Sequence, residues 1–349
     1  MAFEPKFTIT KKIHNALLEI ERARGFIDGI NLRDDLIDKM RSQALILEAH
    51  HSTHIEGTEL TLEQAQLILT GEQVDNVRPD DRQELLNYKE AMDFIADYLD
   101  KKTEITEGLI KNVHHILVKE VRGGILEPGQ YRTVQNYVVN TATREIIYTP
   151  PDPEKVPGLM KEFVKWLNNI GDVSPVLAAG IAQHKFVDIH PFIDGNGRTA
   201  RVLCTLVLYL NGYDFKRLFS LSEFYDTNRP GYYRAIQSVR QEDMDLTLWL
   251  EYFIDGLKVQ MLEVKDRGEA TIKKEIIIEK AKKAGLNERQ EMILKYIIEN
   301  KKASVDDIRQ ELDIVRRTVQ RDFVVLVNAG LAREVATSKT DPTRYYELL

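Results

Sequence analysis

Apolar residues recur at helical spacing along most of this chain, and a β-rich segment interrupts the pattern. The stretch LRDDLIDKMRSQALILEAH places apolar side chains three and four positions apart, as on one face of an α-helix. The same spacing returns in DDRQELLNYKEAMDFIADYL and in GRTARVLCTLVLYLNG. Between these two, residues 134–139 and 145–148 form β-rich runs around a polar Asn-Thr-Ala-Thr turn, which predicts a β-hairpin. We therefore predict a mainly α-helical protein with one hairpin in its central region.

Length and charge limit the architecture and the partners. A chain of 349 residues is too long for one small core, so we expect two or three domains. With 43% hydrophobic and 30% charged residues, the composition is that of a globular protein rather than a disordered one. The net charge of -7 excludes a general attraction to nucleic acid or to an anionic membrane, so such binding would have to be local.

The single cysteine, Cys204, excludes an internal disulfide and favours a reducing compartment. The first ten residues lack the basic and apolar pattern of a secretory signal. The apolar run 202–210 is shorter than the roughly 20 residues that span a bilayer. We expect a cytoplasmic protein without a membrane partner.

The stretch HPFIDGNGRTAR, residues 190–201, concentrates groups that bind anions. Pro191 disfavours a helical backbone at His190, so the preceding helix should end there. The glycines of DGNG let backbone amides converge, and the helix that starts near Gly197 points its positive end to the same place. Arg198 and Arg201 are three apart and share a helix face. Such a set suits a metal-bound polyphosphate attacked by a hydroxyl, whereas the structural alternative is a helix corner with an Asp cap and a buried His.

This stretch resembles the signature of the Fic (Fic/Doc) family, His-x-Phe-x-(Asp/Glu)-Gly-Asn-Gly-Arg-x-x-Arg, at every defining position, with Asp194 in the acidic slot. Helices and a hairpin precede it, and NRPGYYRAI follows it, as in the family. The resemblance covers about residues 109–257 and extends to the N-terminal helices. It implies a Fic-type helical core with a β-hairpin flap.

Most Fic proteins with the complete motif transfer AMP from ATP to a protein hydroxyl. The resemblance implies that His190 is the general base and that Asp194 holds Mg²⁺ between the α- and β-phosphates. The loop residues Gly195, Asn196 and Gly197 would bind phosphate oxygens. Arg198 would hold the β-phosphate, and Arg201 would hold the γ-phosphate. ATP and Mg²⁺ are thus the expected substrate and cofactor, which agrees with a transfer that depends on positioning and charge neutralisation.

Two further segments resemble Fic elements. The hairpin at 131–148 would be the flap, whose edge can pair with an extended segment of a target protein; the alternative is a purely structural hairpin. Asn228, Tyr232 and Tyr233 resemble the nucleoside-contacting segment. Adjacent helical tyrosines cannot share one face, so we expect one to contact adenine and the other to pack.

The stretch HHSTHIEG, residues 50–57, has two interpretations. His50 and His54 have metal-ligand spacing, but a zincin requires Glu directly after the first His, and position 51 is His. The stretch also matches (Ser/Thr)-x-x-x-Glu-(Gly/Asn), the inhibitory helix of many Fic proteins, with Ser52, Glu56 and Gly57 in the defining positions. The resemblance implies that Glu56 pairs with Arg201 and blocks the γ-phosphate. The alternative is a solvated helical Glu.

The C-terminal stretch SVDDIRQELDIVRRTVQRDFVVLVNAGLA predicts two helices joined by a short turn, and REVATSKTDPTRYYEL predicts a two-stranded wing. Together they resemble a winged helix-turn-helix. Its predicted recognition helix carries polar side chains that suit a DNA major groove: Arg316, Arg317, Thr318, Gln320 and Arg321. Residues 286–349 nevertheless hold equal numbers of acidic and basic side chains, so protein docking or homodimerisation is the alternative.

We expect four parts: an N-terminal helical region 1–104 with an inhibitory helix near 45–57, a Fic core 105–257, a connector helix 258–285, and the winged helix 286–349. The predicted function is an autoinhibited protein adenylyltransferase that modifies a Ser, Thr or Tyr hydroxyl of a target, or of itself, and releases pyrophosphate. One alternative is a DNA-binding transcriptional regulator whose Fic core senses nucleotide. The others are AMP removal at the same site and transfer of another nucleotide or a phosphocholine-type group.

Overall fold

The structure, a computed structural model, describes residues 3–30, 32–99, 104–121, 127–139, 143–338, 341 and 343–349. Within these ranges the chain is mainly helical and divides into two compact units, Met1–Lys265 and Asp266–Leu349. The mainly α fold class predicted from the sequence is confirmed. Residues 140–142 of the predicted hairpin turn, and 339–340 and 342 of the predicted wing, lie outside the described residues.

The first unit begins with four helices: α1 (Lys11–Gly29), α2 (Asp34–Ile55), α3 (Leu62–Leu69) and α4 (Pro79–Leu99). Side chains cap the starts of α1 and α3, and at α1 the Thr10 Oγ1 accepts from the Ile13 amide. Thr61 forms a capping box with Gln64 at α3. The buried faces of these helices join the main core of the unit.

The remaining helices of the first unit include a central antiparallel pair. They are α5 (Glu107–Val118), α6 (Val156–Leu167), α7 (Pro175–Ile189), α8 (Asn196–Leu210), α9 (Leu221–Thr227), α10 (Arg229–Gln241) and α11 (Thr247–Ala284), and the boundary between the units falls within α11. Helices α7 and α8 are the central pair and are buried along most of their length. A Cβ at Gly180 of α7 would lie 2.7 Å from the Phe253 ring, so glycine permits this close packing. The loop between α7 and α8 is thereby held on a rigid support.

The hairpin is present but shorter than its two predicted runs. Strand β1 (Val138–Val139) pairs antiparallel with β2 (Ile146–Tyr148), and the register shifts between Val138 and Val139. Upstream, Gln135 Nε2 donates to the Pro150 carbonyl, and Asn136 Nδ2 donates to the Phe192 carbonyl. The first predicted run is therefore attached to neighbouring loops instead of extending the strand.

The second unit contains α12 (Glu288–Asn300), β3 (Lys302–Ala303), α13 (Val305–Leu312), α14 (Arg316–Asn328), β4 (Ala332–Val335) and β5 (Tyr345–Leu348). Its own core includes Phe323 of α14, whose ring stacks on Tyr346 at 3.8 Å. The strands form an antiparallel sheet in the order β3-β5-β4. The predicted helix-turn-helix and wing are confirmed, and β3, too short to give a sequence pattern, adds a third strand. None of the helices in the described ranges is long and apolar enough to cross a membrane.

Candidate active site

The loop between α7 and α8 is a tight turn closed by its own side chains. Helix α7 ends at Ile189, and His190 adopts a left-handed backbone with φ 52° and ψ 57°. Asn196 Oδ1 accepts from the Phe192 amide, and Asn196 Nδ2 donates to the Phe192 carbonyl at 2.9 Å. The Asn196 side chain thus holds the loop closed. The first backbone amides of α8 lack partners within their own helix, and a helix N-terminus of this kind attracts an anion.

Glycine is required at two positions of this loop. Gly195 has φ 75°, and a Cβ there would lie 2.7 Å from Val118 Cγ1. A Cβ at Gly197 would overlap Glu56 Oε1. The Glu56 carboxylate oxygen therefore occupies the space that a side chain at position 197 would need.

His190 has the protonation state of a base. Its Nδ1 lies 3.2 Å from the Val187 carbonyl, which can only accept, so Nδ1 carries the proton and Nε2 is left as the acceptor. Burial lowers the pKa of His190 to about 4, and the nearby Arg132 acts in the same direction. The imidazole is therefore neutral at neutral pH.

Two buried residues that the sequence did not point to support this loop. Gly129 donates to His114 Nδ1 at 2.9 Å, so His114 Nε2 carries the proton and donates to the Asp194 carbonyl at 3.0 Å. The Arg132 Nε donates to the His190 carbonyl at 2.9 Å, and its other nitrogens donate to carbonyls at the two ends of the hairpin segment. A lone His or Arg in a helix or loop gives no sequence signal for such a role.

Arg201 is held by the end of α2. Its Nη2 donates to Glu56 Oε1 at 2.7 Å, and its Nε donates to Ser52 Oγ at 2.7 Å. Burial by itself would lower the pKa of Arg201, but the Glu56 carboxylate raises this pKa above its usual range. Gly57, with φ 106°, lets the chain leave the helix directly after Glu56. The three residues of the predicted inhibitory pattern and the last motif arginine thus lie together.

Arg198 is held separately, by a carboxylate that the sequence analysis missed. Its Nη1 donates to Glu84 Oε2 of α4 at 2.7 Å, and the two side chains are 1% and 3% exposed. Among the described residues, none accepts a hydrogen bond from the buried Nε and Nη2 of Arg198. A buried cation with unused donors beside an amide-lined loop fits an anionic ligand with several oxygens.

Two of the three histidines of α2 contact a carboxylate. The Nδ1 atoms of His51 and His54 lie 2.8 and 2.7 Å from the same oxygen of Asp226, and Arg229 Nε donates to the other oxygen. Although burial opposes it, these donors lower the pKa of Asp226 to about 2. Within the described ranges, no group of three or more His, Cys, Asp or Glu residues is arranged to hold a metal ion. Asp194 alone can still suit Mg²⁺, which takes one or two carboxylates together with phosphate oxygens.

The predicted nucleoside segment lies at the start of α10. Asn228 Oδ1 accepts from the Gly231 amide at 3.1 Å and caps the helix. The Tyr232 ring is buried and stacks on Tyr225 at 4.4 Å. Tyr233 is about half exposed, and its hydroxyl lies 3.5 Å from the Ile55 carbonyl at the end of α2. The two neighbouring tyrosines therefore have different surroundings, one in the core and one beside the inhibitory pattern.

Comparisons with known proteins find family matches in both units. The model of the Fic/DOC family matches residues 104–208, and that of a DeoR-like helix-turn-helix domain matches residues 289–335. The protein adenylyltransferase Fic of Drosophila grimshawi is 31% identical over an alignment of 247 residues, and the match covers 67% of this chain and 49% of the relative. That of Drosophila erecta is 32% identical over the same length, covering 67% and 48%. The chain thus spans about half the length of the curated relatives it matches.

Solved structures share the fold. A Fic family protein from Desulfovibrio desulfuricans G20 has a TM-score of 0.65 and 24% identity, and the match covers 99% of this chain and 98% of that one. Fic-1 from C. elegans has a TM-score of 0.63 and 24% identity, covering 74% and 73%. At this identity the structural likeness establishes the fold alone.

Proposed function

This chain contains a Fic/DOC family domain, and from that premise we propose that it is a Mg²⁺-dependent protein adenylyltransferase held in an inhibited state by Glu56. It would transfer AMP from ATP to a Ser, Thr or Tyr hydroxyl of a target protein, or of itself. The names of the curated relatives support the reaction class. The observation that carries the proposal is the Glu56 carboxylate, which lies against Gly197 and is bound by Arg201. A place that accepts a carboxylate in this way is suited to a phosphate group.

The chemistry follows from the loop and the imidazole. The Nε2 of His190 accepts the proton of the attacking hydroxyl, because Nδ1 is occupied by the Val187 carbonyl. The hydroxyl oxygen forms a bond to the α-phosphorus of ATP, the bond from that phosphorus to the α–β bridging oxygen breaks, and pyrophosphate leaves. The amides at the start of α8 face the oxygens of the α-phosphate, where negative charge is concentrated. Mg²⁺, held by Asp194 and the phosphates, would neutralise part of that charge.

Glu56 inhibits by occupying the guanidinium that would hold the γ-phosphate. The Arg201 side chain is buried, so it cannot turn to a second anion while the ion pair persists. The carboxylate also repels an approaching phosphate. ATP could bind in spite of Glu56, but with its α-phosphate out of line for attack.

We expect Glu56→Gly to incorporate at least about tenfold more label than the parent from ATP labelled in the α-phosphate, because Arg201 becomes free to hold the γ-phosphate. The measurement is radiolabel on protein in the presence of Mg²⁺, with mass spectrometry to locate the modified hydroxyl. Glu72→Gly is the matched control, since Glu72 is an exposed loop residue far along the chain from the motif. Equal labelling of the parent and Glu56→Gly would contradict an inhibitory role for Glu56.

The flap hairpin would be the docking place for the target. Its segment exposes apolar side chains that a purely structural hairpin would cover: Val134, Tyr137, Val139, Ile146 and Ile147. An extended target segment would add a strand at this edge and place its hydroxyl near His190. Such docking would use hydrogen bonds to the backbone of the target, so the hairpin would accept many target sequences.

A second candidate role, DNA contact, rests on the first turns of α14. Arg317, Gln320 and Arg321 are exposed there, as a recognition helix requires. We expect filter retention of genomic fragments by the full chain, weakened in Arg317→Ala/Arg321→Ala. If the chain retains no DNA at low salt, DNA contact is contradicted, and residues 286–349 would instead serve protein docking or dimerisation. A regulator that only senses nucleotide would not need a neutral base such as we propose at His190, so we place the enzyme first.

A further inference from the structure

Glu84 and Arg198 form a buried ion pair next to the active-site loop. The pair joins α4 to the first turn of α8, and both side chains are almost fully buried. The charge of Arg198 also acts on His114, whose Nε2 donates to the Asp194 carbonyl. The guanidinium is therefore within electrostatic reach of the loop that carries the acidic motif residue.

Because a guanidinium is rigid and planar, fixing one of its nitrogens restricts the direction of the other two. Arginine presents five N–H donors in a rigid plane, so the hydrogen bond from Nη1 to Glu84 restricts the direction of the opposite edge. That edge consists of Nε and Nη2, the two nitrogens for which the described part of the chain offers no acceptor. Two adjacent donors in this arrangement match two oxygens of one phosphate group.

We propose that Glu84 is a positioning residue, which holds the Nε and Nη2 edge of Arg198 toward the β-phosphate of the bound nucleotide. The inference rests on the proposed function, and it assigns a role to a residue outside the motif. Glu84 acts through Arg198 and does not itself touch the substrate.

Glu84 differs from Glu56 in the role that its surroundings permit. The Glu56 side chain is 26% exposed at the end of α2 and can leave with that helix end. Glu84 lies in the second turn of α4 and is 3% exposed. A carboxylate buried in this way remains with its arginine when the inhibitory contact opens, since separating the pair would leave two buried charges unpaired.

The test compares Glu84→Gln with Glu84→Asp, both in the Glu56→Gly protein. Gln keeps the reach of the side chain and an oxygen acceptor but removes the charge, whereas Asp keeps the charge and shortens the reach by one methylene. If the hydrogen bond positions Arg198, Gln should bind ADP within about threefold of the Glu56→Gly parent, and Asp should bind it about tenfold or more weakly. Binding of AMP, which has no β-phosphate, should change less than about threefold in both variants.

The measurement is isothermal titration with AMP and ADP in the presence of Mg²⁺, on variants whose thermal midpoints are recorded by tryptophan fluorescence. An equal loss for AMP and ADP would mean that Glu84 only stabilises the fold, and unchanged ADP binding in Glu84→Asp would mean that Arg198 needs no positioning. Either result overturns the inference. If the Glu56→Gly parent itself binds neither nucleotide, the proposed function falls, and this inference falls with it.

Discussion

At the scale of single residues, the protonation state of His190 decides what the site can do. Burial keeps the pKa of this imidazole near 4, and the bond from Nδ1 to the Val187 carbonyl leaves Nε2 as the acceptor. Glu56 acts to raise this pKa, so removing Glu56 should not bring it back toward 6.5. A base of this kind stays deprotonated well below neutral pH.

The pH dependence of labelling tests this assignment. A base is active when deprotonated, so a lowered pKa moves the loss of activity to lower pH. Labelling by Glu56→Gly should change less than about threefold between pH 7.5 and 5.5, where a histidine with a pKa of 6.5 would lose about tenfold. A decline centred near pH 6.5, with no loss of folding, would contradict the assignment. Thermal melts at each pH are the control.

At the scale of elements, helix α2 carries Ser52, for which we propose an inhibitory role together with Glu56, and is fixed by more than the Glu56–Arg201 ion pair. Glu48 accepts hydrogen bonds from the Tyr88 hydroxyl of α4 and from Ser222 at the start of α9. Near the end of α2, His51 and His54 share Asp226. The proposed inhibition would therefore depend on whether the whole end of α2 remains in place.

Weakening the Asp226 contact should release part of the inhibition. Asp226→Ala removes the carboxylate that His51, His54 and Arg229 share. The loss of a partner costs about 1–3 kcal/mol for a buried group, and the His51 side chain is the least exposed of the three. Labelling from ATP should rise about threefold to tenfold over the parent, below the level reached by Glu56→Gly. Asp38→Ala, at an exposed position of the same helix, is the control and should label like the parent. No rise in Asp226→Ala would mean that Glu56 and Ser52 fix the helix end by themselves.

The elements also show what the sequence could and could not predict. The end of α7 at Ile189 was predictable because Pro191 acts on its neighbour, and the helix-turn-helix was predictable because its apolar spacing is local. The partners of the motif were not predictable: Glu84 lies 114 positions before Arg198, and no local pattern connects them. The hairpin is shorter than its β-rich runs because side chains such as Asn136 bond to other loops.

At the scale of the whole molecule, buried neutral histidines make the first unit sensitive to acid. Burial lowers the pKa of both His114 and His184 to about 4, below the unfolded value near 6.5. The unfolded chain therefore binds more protons between these values, and stability is lost as the pH falls from about 6.5 toward 4. Each histidine can account for at most about 2 kcal/mol at pH 5.

Tryptophan fluorescence can measure this effect in the full chain, because Trp166 and Trp249 both lie in the first unit. The thermal midpoint should be about 5 °C or more lower at pH 5 than at pH 7. His184→Gln should reduce that difference, since it removes one titrating group while keeping a donor for the Ile236 carbonyl. An identical pH dependence in His184→Gln and the parent would contradict the explanation.

The reaction itself is tested most directly by the position of the label that reaches protein. Glu56→Gly would be incubated with Mg²⁺ and ATP labelled in either the α- or the γ-phosphate, with Glu56→Gly/His190→Ala beside it. We expect protein-bound label from the α-phosphate alone, an equal amount of pyrophosphate released, and loss of both in the double variant. Label from the γ-phosphate, or α-label that persists without the imidazole, would contradict the transfer of AMP by His190 at this loop.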